Sequence, residues 1–209
     1  MPALQRIAYY QHRRDEVPNQ ELARELAATK DRKGIREIAE NLWNENSQVQ
    51  SDCLKVLYEI GYLQPELIAP YADDFLQLLH SRDNRLVWGA LIALSTVADR
   101  KADALYPHVE EIEQVMEQGS VITKDNAVKV LALVASRNAA YSKDIFPYLL
   151  HHLETCRPKD VPQHAEKTVV AVSARNKQQF MAVLKERLVD LSGSQAARVK
   201  KVIQEAEQR

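Results

Sequence analysis

The stretch from Asp83 to Arg100 reads DNRLVWGALIALSTVADR. Leu86, Ala90, Leu91, Leu94 and Val97 recur there at the i, i+3, i+4, i+7 spacing that gathers apolar side chains on one face of an α-helix. Asp83 stands in front of them, a residue type whose side chain caps a first helical turn. The pattern is not confined to this stretch. A shift of 37 residues upstream sets Cys53, Leu54, Val56, Leu57 and Ile60 opposite Ala90, Leu91, Ala93, Leu94 and Val97. The same shift downstream reaches Ala127, Val128, Val130, Leu131 and Val134, and a further 38 residues reach Ala165, Val169 and Val172.

The segments between these helices repeat as well. Ile68, Leu105 and Ile145 each precede a proline by two residues, at Pro70, Pro107 and Pro147, and Tyr71, His108 and Tyr148 follow it. Proline is tolerated where a missing N–H costs least, so each is expected in or near the first turn of a helix. The repeating unit is then a helix, a short turn and a second helix. Pairs are expected at about 2–30, 32–61, 65–99, 102–137 and 141–175, with a C-terminal capping pair at 176–207. A first amphipathic helix is expected over 2–14, with Leu4, Ile7 and Ala8 on one face, and an apolar stripe of Ile35, Ile38, Ala39, Leu42 and Trp43 over 33–45.

A proline-bearing first helix followed by an Asp- or Asn-capped second helix resembles the HEAT repeat family. The residues that carry the resemblance are Asn46, Val49, Cys53, Leu54, Val56 and Leu57 in one copy. In the next they are Asp83, Leu86, Ala90, Leu91, Ala93 and Leu94. It covers about 32–175 well and the ends loosely. Two features depart from the family pattern: the short period, and Gln50, Val87, Lys124 and Pro162 where the family usually has Arg. The resemblance implies an all-α fold, a right-handed α-α superhelix (HEAT/armadillo-like solenoid) of about five helix pairs. It further implies that second helices line a concave face suited to a protein or peptide partner. It implies no activity, because a fold does not fix a function.

Composition agrees with a helical, self-supporting domain. The chain has 209 residues, enough to bury a core without metal or disulfides. Five glycines and eight prolines leave little room for β-turns. Two cysteines, Cys53 and Cys156, make no disulfide framework. No apolar run reaches the roughly 18–20 residues that span a bilayer, and the start lacks a signal-peptide core. A cytoplasmic location without membrane partners is expected. The net charge of −1 hides three blocks. Residues 37–122 carry 5 Lys/Arg against 15 Asp/Glu, while 1–36 and 123–209 are net +3 and +6. That is not the continuous basic stripe of a duplex-binding surface.

The individual residues of the 83–100 helix carry the expectation about function. Where Trp88 stands, the other copies have Ser51, Asp125 and Gln163; where Ile92 stands, they have Lys55, Lys129 and Lys167. Trp88 and Ile92 are i, i+4 neighbours, and Gly89 beside them would admit a close backbone approach. One reading makes Trp88 and Ile92 an apolar anchor on the concave face, rimmed by Arg85, Lys55 and Lys129. The other has Trp88 packed between repeats. His152, Cys156, Asp160 and His164 follow one another at near-helical intervals, a spacing that can set a thiol beside imidazoles. Pro158 and Pro162 interrupt that series, so the four need not converge, and no metal or cofactor is expected. No phosphate-binding loop, nucleophile elbow or His-Glu metal pair of the HEAT-like hydroxylases is present. The expected function is a non-catalytic scaffold or adaptor that binds a protein or peptide partner. The alternative is nucleic-acid binding through Lys124, Lys129, Lys167, Arg175 and Lys177. In its enzymatic form that alternative resembles the HEAT-like alkylpurine DNA glycosylases, with Trp88 and Asp52 or Asp125 on the concave face.

Overall fold

Five helices start at a side chain, Asp31, Asn46, Asp83, Ser120 or Asn138, that satisfies one or two of their first free N–H groups. The computed structural model describes residues 1–209 and divides into two units, Met1–Lys101 and Ala102–Arg209, with helices and turns and no strand in either. In the first unit, α1 spans Val17–Thr29, α2 Arg32–Glu40, α3 Ser47–Leu63 and α4 Ala72–Leu78, and α5, Asn84–Leu105, belongs to it as far as Lys101. The Asp31 carboxylate accepts from the N–H groups of Lys33 and Gly34, Asn46 accepts from Gln48, and Asp83 accepts from Arg85. Helix α1 ends on Lys30 in the left-handed conformation, whose N–H turns back to the last carbonyls. Helix α5 is broken at Lys101, where the first unit ends. Helices α1 and α2 pack against α3.

The second unit holds α6 (Val109–Gln118), α7 (Val121–Ala135), α8 (Ala139–Thr155), α9 (Val161–Thr168), α10 (Lys177–Arg187) and α11 (Gly193–Glu207). Ser120 caps α7 through the N–H of Thr123, and Asn138 caps α8 through that of Tyr141. Helix α7 packs against α6, α8 and α9, while α11 closes over α9 and α10.

The repeat positions are the core. Cys53, Ala90, Ala127 and Ala165 are fully buried, and so are Leu57, Leu94 and Leu131, and Ile60, Val97 and Val134. Full burial of a Leu or Ile side chain contributes roughly 1.5–3 kcal/mol, so the recurrent face accounts for most of what holds the helices together.

Three local expectations are corrected. Residues 2–14 form no α-helix; only a 3-10 turn at Leu4–Arg6 forms, and His12 takes a positive φ of 53°. The reason is competition for backbone donors. Glu37 takes the N–H groups of Ala3 and Leu4, Asn19 that of Ala8, and Asp52 that of Tyr9. Ile7 and Ala8 are nevertheless buried as expected of an apolar face. Pro70 and Pro107 do open short helical turns, but Pro147 lies in the interior of α8. Trp43 does not join the apolar stripe: it is 48 % exposed, and its indole N–H donates to Asp74 at 3.2 Å.

Candidate functional site

Helix α5 presents Arg85 to solvent, but the side chains expected beside it as an anchor are largely used in packing. Ile92 is buried at 8 % exposure, so it cannot serve as an exposed anchor. Trp88 is half-buried and lines a crevice of about 40 Å³ with Glu16, Asp52, Lys55 and Arg85. Gly89 is accounted for inside the chain: a Cβ there would meet Leu54 Cδ2 at 2.6 Å, so the glycine lets α5 approach α3. Lys55 keeps only 12 % of its side chain exposed and bridges Glu16 at 2.7 Å and Glu59 at 2.8 Å, with its ammonium over the Tyr58 ring. Burial opposes the charge, but the two carboxylates prevail and hold its pKa above the ordinary lysine range.

Asp52 is likewise committed within the first unit. It accepts from Asn19 Nδ2 at 2.9 Å and from the Tyr9 N–H at 2.8 Å, and burial raises its pKa. Both acceptor oxygens serve the fold.

The second unit contains two arrangements that the repeat alone does not require. The first is a polar chain running from α8 through α9 to α7. His152 Nε2 lies 2.9 Å from His164 Nδ1, and His164 Nε2 lies 2.8 Å from Asp125 Oδ1. Lys167 donates to the backbone carbonyl of Asp125 at 2.7 Å. His164 is buried. Burial tends to raise the Asp125 pKa, but the His164 hydrogen bond and Lys167 together hold it below the usual value. Burial, with His164 and Lys124 adding to it, pushes His152 down to about 4, so its imidazole is neutral at physiological pH. Cys156 completes the group: its thiol and the two imidazoles offer donor atoms within 4.8 Å of one another. Burial raises the thiol pKa, against an opposing pull from Arg187. Three of the four residues singled out by spacing therefore converge. Asp160 instead pairs with Arg157 at 2.7 Å.

The second arrangement is a cleft of about 700 Å³ where the start of α8 faces the 170–176 segment. Phe146, Pro147, Val170 and Val172 supply apolar wall, and Lys143 and Arg175 supply cations. Asn176 shapes the segment by accepting from the Ser173 N–H and donating to the Ala171 carbonyl. Sequence reasoning placed Arg175 in a basic surface and missed the cleft, because small residues such as Ala135, Ala139 and Ser142 give no periodic signal for a concavity. Lys129, expected at the anchor's rim, is half-buried on α7.

No family model matches the chain, and no curated protein matches it. Solved structures do. An engineered protein from a structural genomics consortium is similar over 100 % of this chain and 98 % of its own, with a TM-score of 0.70 at 18 % identity. A designed armadillo repeat protein solved in complex with the peptide (KR)4 is similar over 90 % of this chain and 85 % of its own, with a TM-score of 0.68 at 15 % identity. A computationally designed armadillo repeat protein for modular peptide recognition covers 99 % and 97 %, with a TM-score of 0.63 at 16 % identity. At these identities the likeness is one of fold: an all-helical, armadillo-like repeat solenoid. The HEAT resemblance is supported at the level of a helical repeat solenoid.

Proposed function

We propose that the chain is a non-catalytic binding module for a peptide segment of a partner protein, with the α8 cleft as its principal contact. The observation that carries this reading is the cleft itself. Its volume lies in the range of sites that bury a ligand group, and apolar walls with a few placed polar groups are the usual composition of such sites. Its chemistry suits an apolar side chain flanked by a carboxylate that Lys143 and Arg175 would meet. The fold supports the reading further, since two of the similar designs are described by their peptide ligand or peptide recognition. Arg85 and the accessible part of Trp88 form a second candidate contact, of smaller area than the expected anchor because Ile92 and Gly89 serve packing.

The test is a random peptide library panned against the folded chain. The expected outcome is enrichment of sequences with an apolar residue beside Asp or Glu. Binding should be lost in Ala139→Trp, which fills the mouth of the cleft from an exposed position, and weakened at least tenfold in Lys143→Glu/Arg175→Glu. The absence of any enriched sequence would overturn the reading, as would peptides that bind Ala139→Trp undiminished. Retention of duplex DNA at low salt without peptide binding would favour the nucleic-acid alternative instead.

A further inference from the structure

The His152, Cys156 and His164 cluster plays no part in the cleft, and its donor set is that of a metal centre. We propose that these three residues bind one zinc-type divalent cation, with Asp125 as the carboxylate behind His164.

The donors arise from two structural elements that converge at one point. His152 lies in the last turn of α8 and Cys156 caps it, its N–H bonded to the His152 carbonyl at 2.8 Å, so the two side chains stand one turn apart on one face. His164 comes from α9 and turns Nδ1 toward His152. The three donor atoms already lie within 4.8 Å of one another. Tetrahedral zinc with bonds of about 2.0–2.3 Å sets its nitrogen donors about 3.3 Å apart and nitrogen and sulfur about 3.6 Å apart. The imidazoles, now at 2.9 Å, need to open by only a few tenths of an ångström, and the thiol must turn inward about its χ1.

The carboxylate is the more telling part. An ionised Asp125 can only accept, so the His164 nitrogen facing it at 2.8 Å carries the proton. That leaves the Nδ1 lone pair pointing into the cluster. A carboxylate holding the far nitrogen of a histidine is the usual support of a metal-bound imidazole, because it fixes both tautomer and ring orientation. Lys167 steadies Asp125 from its backbone carbonyl.

Two nitrogens and a sulfur, with no oxygen donor among them, select a borderline ion such as zinc over magnesium or calcium. As the ion binds, the thiol gives its proton to solvent and the sulfur–metal bond forms. The His152 proton moves from Nε2 to Nδ1, freeing Nε2 to coordinate. Three protein ligands leave a fourth position for water. The thiolate and Asp125 offset the two positive charges, and Asp160 adds negative potential; Lys124 and Arg187 act against it.

Cobalt(II) is the probe, followed by competition with zinc. The purified chain, freed of metal with a chelator, should give intense visible absorption of a tetrahedral centre and a near-ultraviolet thiolate-to-cobalt band, both abolished by one equivalent of zinc. The thiolate band reports on Cys156, since Cys53, the other cysteine, is fully buried in the first unit. Cys156→Ser should remove the band, His152→Gln should weaken binding at least tenfold, and Asp125→Asn should weaken it about 10–100-fold while keeping the band. Absence of a thiolate band in the wild-type chain overturns the proposal, whether or not the variants fold. So does equal cobalt affinity in wild type and Cys156→Ser, or a response to calcium equal to that to zinc. Peptide binding at the cleft is measured separately, and its failure would leave this result unaffected.

Discussion

Arg187 ties α10 to the end of α8, and replacing it with alanine should destabilise the second unit by about 3 kcal/mol. One guanidinium donates to the carbonyls of Leu153 and Glu154 at 2.6 Å each and of Cys156 at 2.8 Å. These are the carbonyls that a helix C-terminus leaves without partners, and a cation there also meets the negative end of the helix dipole. The side chain is only 11 % exposed and is held from behind by Asp190 at 2.9 Å, so screening is weak. A hydrogen bond to a charged group contributes about 1.5–3 kcal/mol. Three bonds from one group are not independent, and water can replace the one at exposed Glu154, which brings the total to roughly 2–4 kcal/mol. For a chain of this length each kcal/mol lowers Tm by about 2–4 °C, so a fall of about 6–12 °C is expected. Urea unfolding gives the free energy, and hydrogen exchange across residues 150–157 shows whether loss starts at the end of α8. Arg187→Lys keeps the charge but cannot reach three acceptors in a plane, and should recover less than half. A loss under about 0.5 kcal/mol, or full recovery by lysine, would refute the fork as the source of stability.

Other expected outcomes follow from single contacts. In most helix interiors Gly→Ala stabilises by about 1 kcal/mol, but a Cβ on Gly61 would clash with Thr96 Oγ1, itself held on the Ala93 carbonyl at 2.7 Å. Gly61→Ala should therefore destabilise by about 1–3 kcal/mol, and Thr96→Ala in the same chain should relieve part of it; a stabilising single variant contradicts the packing. Trp88→Ala should cost on the order of 2 kcal/mol, about half the figure for a fully buried tryptophan, measured by urea unfolding; an unchanged stability would restore Trp88 as a free anchor. Arg198 forks onto Glu166 at 2.6–2.8 Å and holds its pKa below the usual range. A lowered carboxylate pKa contributes stability at neutral pH that is lost as pH falls through the folded-state value. Glu166→Gln should thus flatten the acid limb of the stability profile by less than about 1 kcal/mol, and an unaltered limb would show that the fork adds nothing.

The repeat was legible because core positions answer to one physical demand. Ala90, Leu91, Leu94 and Val97 and their counterparts must be apolar to be buried, and the spacing says so directly. The position of Ile92 misled for an instructive reason. Its counterparts are lysines, which suggests a solvent face, yet Lys55 buries its stem and keeps 12 % of its side chain exposed while its ammonium finds carboxylates. A long cationic side chain can occupy an inward position that its formal polarity denies. Residues 2–14 misled because side chains remote in sequence, Glu37, Asn19 and Asp52, captured the backbone donors a helix would need. Pro147 sits inside α8 because Asn138 starts that helix earlier than the proline suggested. The histidine cluster was visible as spacing, but Asp125 lies 39 residues from His164, and only packing brings them together.

The anchored segment 3–13 also joins the helices it lies on. Ala3, Ile7 and Ala8 are buried, while half-exposed Arg6 and exposed Arg13 give the same segment a charged outer side. By taking its hydrogen bonds from Asn19 on α1, Glu37 on α2 and Asp52 on α3, the segment couples three helices whose own backbone bonds are internal. Opening any one of those helices costs the segment's bonds as well, so eleven residues outside the repeat make the first three helices of the unit open together.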